Sequence, residues 1–266
     1  MAALSGFKEQ EVAVNDSVTG KLVTPANKTD KAVLILHGFN DHMDAVGDMQ
    51  KHLAHALGEA GIGSLRINFR GEGVRNNSVI TSTLDSRKAD AEAAYQFLKK
   101  QFPDANYGVS GFSMGGSTSI LLMGSHPDWF QTAVLWSSGG HNLKDNMGMS
   151  SDPTHAAMIR ETLREGQAVY KSWVDITYTR ENYISWIGFD GADYLKNYKG
   201  AFLGIRGTDD FLPLHEVSWM DVLTGNPVSY QVISGADHIF NVLDPEKSQG
   251  ALVVRSTVDW LIETLE

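Results

Sequence analysis

The sequence predicts an α/β protein, a mainly parallel sheet with helices on both faces. Three observations carry this. Strand-like apolar runs alternate with helix-like amphipathic runs along most of the chain. Some of those runs, "KAVLILHG" foremost, are apolar almost without a break, as strands buried on both faces must be. A length of 266 residues suits one such domain, or one domain with an insertion.

The elements follow in order. "FKEQEVAV" and "GKLVT", on either side of "NDSVT", read as an N-terminal hairpin, because Asn-Asp marks a turn between alternating runs. "KAVLILHG" is a central strand. Met49, Leu53, Ala56, Leu57 and Ala60 then recur at helical spacing and stop at Gly61, a C-terminal cap. "IGSLRINF" is the next strand. Past a polar loop, Leu84, Ala91, Ala94, Tyr95 and Leu98 define a second amphipathic helix, which must end before Pro103. The strand "YGVSG", a helix from about residue 114 to 124 and the strand "TAVLWSS" repeat the pattern. "AFLGIRG" and "VSYQVIS" are later strands, separated by helical sequence near residues 215–223. Val254, Val258, Leu261, Ile262 and Leu265 mark one face of the last helix.

Residues 139–197 break the alternation. They are rich in aromatics (Tyr170, Trp173, Tyr178, Tyr183, Trp186, Phe189) and read as helical, with no strand. The expectation is a core of residues 1–138 and 198–266, with 139–197 a helical insertion above the sheet edge.

Composition removes several function classes. Lys and Arg number 22 against 32 Asp and Glu, a net charge of −10, and no basic cluster exists for nucleic acid to grip. Without cysteine there is no disulfide, no thiolate metal site and no thiol nucleophile. The opening residues lack a basic leader, and no run approaches the roughly 20 apolar residues that span a bilayer. A cytoplasmic protein without an integral membrane segment is expected.

The stretch "NYGVSGFSMGGS" carries the chemistry. A parallel strand delivers its C-terminal end to the rim where open α/β sheets bind ligands. A very tight turn from strand to helix pushes its apex residue, Ser113, clear of both elements. The residues two before and two after must then be small, since the helix passes close to the strand; these are Gly111 and Gly115. This is Gly-x-Ser-x-Gly in the strand–turn–helix setting of a nucleophile elbow.

A serine hydroxyl needs a base. His238 in "SGADHIF" lies past the last predicted strand and before the last helix, which places it at the same rim. His37, His42, His52, His55, His126, His141, His155 and His215 fit structural roles. The base needs a carboxylate to hold its tautomer, and "RGTDDFLP" offers two. Counting three residues beyond Gly207 favours Asp210; counting four back from Pro213 favours Asp209. Asp210 is preferred and Asp209 is the alternative, the other acid being solvated or capping a helix. The oxyanion needs preorganised donors. The Met114 amide at the helix N-terminus is one, and the Phe39 amide in "HGFN" is the second. His37, His42 and Asp44 match no standard zinc spacing, and the chemistry requires neither metal nor organic cofactor.

With "HGF", "GFSMG", "GTDD" and "GADH" in this order, the chain resembles the α/β-hydrolase superfamily from about Val33 onward. "RGEGVRNNS" is similar to that superfamily's Arg-Gly-x-Gly-x-Ser turn, with Arg75-Asn76 a departure. The resemblance implies an eight-stranded, mostly parallel sheet with a lid where the aromatic insertion falls. Within the superfamily the chain looks most like small bacterial carboxylesterases, including feruloyl-type and monoacylglycerol-lipase-like enzymes. The single glycine after His37 separates it from the hormone-sensitive-lipase-like branch. The expected activity is hydrolysis of a small-molecule carboxylic ester through Ser113, His238 and Asp210, with Trp173 and Trp186 lining an apolar or aryl acyl pocket. The alternatives are a peptidase, amidase or thioesterase on the same residues, or a binding protein that keeps the fold without catalysis.

Overall fold

Strands that are apolar on both sides need cover on both sides, and the observed arrangement supplies it. The structure, a computed structural model, describes residues 6–72, 79–140, 153–171 and 174–266. β1 (Phe7–Ala13) pairs antiparallel with β2 (Thr19–Pro25), and β2 pairs antiparallel with β4 (Gly63–Ile67). From there the sheet is parallel, through β3 (Lys31–Leu36), β6 (Asn106–Phe112), β7 (Thr132–Trp136), β10 (Ala201–Gly207) and β11 (Val228–Ile233). The eight strands run in the order β1-β2-β4-β3-β6-β7-β10-β11.

Alternate residues of each strand feed opposite cores. Leu34 and Leu36 of β3 pack with Ala91 and Leu98 of α2 (Leu84–Gln101) and with Ile120 of α3 (Met114–Ser125). Val33 and Ile35 pack on the other face with Leu53 and Leu57 of α1 (Met49–Glu59) and Leu261 of α8 (Gly250–Thr264). Each fully buried aliphatic side chain of this kind contributes about 1.5–3 kcal/mol. α1 ends where expected, with Gly61 in the left-handed region at φ +79° and the Ile62 N–H donating to Leu57 O. α2 opens on a capping box, Thr83 and Ser86 each accepting the other's backbone N–H.

The segment between β7 and β10 differs from the helical insertion the sequence suggested. It holds α4 (Pro153–Glu165), β8 (Gln167–Lys171), β9 (Asp175–Thr179), α5 (Arg180–Ser185) and α6 (Gly191–Leu195). β8 and β9 pair antiparallel, and β9 pairs parallel with β5 (Val79–Ile80) in a separate three-stranded sheet. Tyr170 and Tyr178, read as helical, lie on those strands. The segment is tied to the start of α2. Thr179 Oγ1 donates to Ile80 O at 2.7 Å, Asn182 Nδ2 to Ser82 O at 2.7 Å, and the Leu84 N–H to Ser185 Oγ at 3.0 Å. The Arg75-Asn76 departure and Trp173 lie outside the described residues. Among the described residues no helix is long and apolar enough to cross a membrane.

Candidate active site

Four loops leave the C-terminal ends of neighbouring or near-neighbouring parallel strands, and each carries one group singled out above. Phe39 follows β3, Ser113 follows β6, Asp210 follows β10 and His238 follows β11. Ser113 holds φ 53° and ψ −118°, a conformation costing about 1–3 kcal/mol that persists only where the surroundings enforce it. Enforcement is visible in the backbone. The Ser113 N–H donates to Trp136 O at 2.9 Å, and Ser113 O accepts the Gly116 N–H at 2.9 Å. The clearance is real as well: a Cβ on Gly115 would sit 2.0 Å from Leu36 O, and one on Gly111 2.5 Å from Gly115 O.

Ser113 Oγ lies 3.0 Å from His238 Nε2, and His238 Nδ1 lies 2.8 Å from Asp210 Oδ1. The carboxylate can only accept, so Nδ1 carries the proton and Nε2 accepts from the serine hydroxyl. Of the two adjacent acids, Asp210 therefore touches the imidazole. Asp209 is exposed and accepts from Thr208 Oγ1 at 3.0 Å. Asp210 Oδ1 also accepts the Leu212 N–H at 2.9 Å, and its Oδ2 accepts from Arg206 Nη1 at 2.9 Å. Burial works against ionisation of Asp210. The hydrogen bond and charge of His238, the Leu212 amide and the Arg206 cation prevail and hold its carboxyl below the ordinary carboxylate value.

Arg206 is itself buried within β10. Its Nε and Nη2 meet Glu216 at 2.8 and 3.0 Å, on α7 (His215–Met220), and Nη2 also donates to Ser138 O at 2.6 Å. Burial raises the Glu216 pKa despite the arginine, with the nearby Asp210 charge adding to the rise.

The loop after β3 is clamped from below. Glu72 Oε2 accepts the Asn40 N–H at 2.8 Å, while its Oε1 accepts from Ser82 Oγ at 2.7 Å and from Arg87. Arg87 Nη2 donates to His37 O at 2.7 Å, and Nε donates to Thr118 Oγ1 on α3 at 3.0 Å. One buried guanidinium thus joins the loop bearing Phe39 to the helix bearing Met114. The Phe39 ring stacks on Tyr178 of β9, centroids 5.1 Å apart. Among the described residues neither the Phe39 nor the Met114 N–H has a hydrogen-bond partner.

His37 is fully buried, with Nδ1 donating to Gly38 O at 2.7 Å and Nε2 accepting the Phe69 N–H at 3.2 Å. Both nitrogens are occupied, which leaves no lone pair for a metal. Trp186 packs edge-on against Phe189 at 5.7 Å and against the core. Glu72, Arg87, Arg206 and Glu216 were not found from sequence. A signal existed for two of them. Arg206 is the one charge in "AFLGIRG", and Arg87 falls on the apolar stripe of α2.

Residues 27–179 match the sequence family described as serine aminopeptidase, S33. No curated protein is similar enough to count as a match. Among solved structures, Est1E from Butyrivibrio proteoclasticus superposes with a TM-score of 0.70 at 18% identity, covering 96% of this chain and 98% of that one. It is also known with ferulic acid bound. An esterase of Pyrococcus furiosus gives 0.64 at 20% identity, over 98% and 91% of the two chains. A dienelactone hydrolase from Anabaena variabilis gives 0.60 at 16% identity, over 98% and 100%.

Proposed function

We infer a hydrolytic reaction from the family to which this chain belongs, the serine aminopeptidase S33 family of α/β hydrolases. We propose that it is a serine carboxylesterase working through an acyl-enzyme. The observation that carries the reading is the unbroken chain of contacts from Ser113 Oγ through His238 to Asp210, 3.0 and then 2.8 Å, at the open end of the sheet.

In the proposed reaction Ser113 Oγ attacks the ester carbonyl as His238 Nε2 takes its proton. Asp210 holds the Nδ1 proton and stabilises the imidazolium. The Phe39 and Met114 N–H groups hold the oxyanion; a donor of this kind is worth about 10²–10³ in rate. His238 then returns the proton to the departing alcohol oxygen. A water, deprotonated by the same nitrogen, attacks the acyl carbon, and the proton passes on to Ser113 Oγ as the acid leaves. No step calls on a metal or organic cofactor. Trp173 and Trp186 would line an acyl pocket, with residues 139–197 acting as the lid.

The esterase-named structural neighbours favour esters, while the family's description favours the second reading, an amidase or peptidase on the same groups. A fluorophosphonate should label Ser113, seen as a mass shift on its peptide and absent in Ser113→Ala. Short p-nitrophenyl and hydroxycinnamate esters should turn over faster than amino-acid anilides. Anilides turning over faster would replace esterase by amidase. A folded protein that neither labels nor turns over would leave a binding protein.

A further inference from the structure

Phe211 is the most exposed large apolar side chain among the described residues, at 72% of its accessible surface. Single exposed apolar residues are common and mean little alone. This one stands against the base: its ring centroid is 4.4 Å from that of His238, tilted by 44°. Its position is also determined by the site. Asp210 Oδ1 accepts the Leu212 N–H at 2.9 Å, closing a side-chain turn with Phe211 at its apex. The carboxylate that orients the imidazole therefore also presents the phenyl ring. Leu214, three residues on, is a second exposed apolar side chain of the same loop, at 42%.

Acyl transfer makes this place special. The departing oxygen must come within about 2.6–3.2 Å of His238 Nε2 to receive its proton. Whatever is bonded to that oxygen then lies over or beside the imidazole, where Phe211 stands. The acyl half, by contrast, is directed by a carbonyl oxygen held at Phe39 and Met114. We propose that Phe211 is a specificity-determining residue of the alcohol subsite, selecting esters whose alcohol carries a flat aromatic or extended apolar group. This rests on the esterase reading and goes beyond it by naming the half of the substrate that is recognised.

The test compares benzyl acetate with ethyl acetate, whose alcohols have similar basicity, so that a preference reports binding rather than leaving-group chemistry. It is run on the native chain, Phe211→Ala and Phe211→Tyr. The native chain should prefer the benzyl ester in kcat/KM by at least about tenfold, equivalent to about 1.4 kcal/mol. In Phe211→Ala that ratio should fall by about tenfold, mostly through KM, whereas Phe211→Tyr, which keeps the ring, should retain it. The ratio of methyl benzoate to methyl acetate, which reads the acyl half, should not change in either variant. A benzyl-to-ethyl ratio unaltered by Phe211→Ala, or one that falls only together with the benzoate-to-acetate ratio, overturns the assignment. A native chain that hydrolyses no ester and takes no fluorophosphonate overturns the esterase reading and this inference with it. A native chain that labels and hydrolyses without benzyl preference overturns this inference alone.

Discussion

Acid should loosen the loop that carries Phe39, and His37 sets the size of the effect. Its ring is fully buried, donating to Gly38 O and accepting the Phe69 N–H. Burial, reinforced by the Arg87 cation, lowers its pKa from 6.5 to about 3. An unfolded chain titrates near the higher value. Between the two, the unfolded chain binds a proton that the folded chain refuses. Stability is therefore independent of this group above about pH 6.5 and falls as pH drops through the window. Each pH unit costs up to about 1.4 kcal/mol, so descending from pH 7 to about 4.5 removes about 2.5 kcal/mol. That is a large fraction of the roughly 5–15 kcal/mol typical of a folded protein. Other groups titrate in the same range, so the comparison is with His37→Gln, which cannot titrate and whose amide oxygen can take the Phe69 N–H. Urea unfolding of both proteins should be followed by tryptophan fluorescence from pH 7 down to about 4.5. At pH 7 the variant should be less stable by about 1–3 kcal/mol, having lost the contact to Gly38. On going to about pH 4.5 the native chain should lose about 2.5 kcal/mol relative to the variant, so that the gap closes or reverses. A gap of constant size would show that His37 does not resist protonation, and the reasoning from its burial would be wrong.

Asp210→Asn should lower kcat by about 10⁴, because Nδ1 loses the acceptor that fixes its proton, while Asp209→Asn should leave turnover near that of the native chain. Equal, modest losses in steady-state rates would mean that neither acid has the proposed role. Gly115→Ala should destabilise the fold by roughly 1–3 kcal/mol, read as a lowered thermal midpoint, since its Cβ would press on Leu36 O at 2.0 Å. Arg206→Met should cost about 3–5 kcal/mol in urea unfolding, by stranding Asp210 and Glu216 without their shared cation. Adding Glu216→Leu should recover part of that loss; no recovery would mean that the charge of Glu216 is not what hurts.

Much of this architecture is legible in the linear chain because burial on two faces leaves a strong imprint. "KAVLILHG" can hardly be anything but an inner strand, and glycines flanking one serine make sense only where a helix crosses a strand at close range. Other features leave weaker marks. β8 and β9 are five residues each, exposed or half-exposed at all but one position apiece, and their tyrosines suit a helix as well as a strand. β5 is only two residues long and exists by pairing with β9, nearly a hundred positions away. The choice between Asp209 and Asp210 depends on which side chain turns inward. That is decided by the Leu212 N–H and the Arg206 guanidinium, neither of which counting along "GTDDFLP" can weigh. Glu72 is legible least of all, since its partners come from the loop after β3 (Asn40) and from the start of α2 (Ser82 and Arg87).

The file of side chains running from Glu216 through Arg206 and Asp210 to His238 has an electrical consequence. With both carboxylates ionised and the imidazole neutral, it holds two anions and one cation, an excess of one negative charge sealed away from water. When the Ser113 proton arrives on the ring, the row becomes neutral as a whole. In the proposed reaction the interior is thus best balanced at the instant when charge separates above it, and no ions need be drawn from solvent to follow the proton.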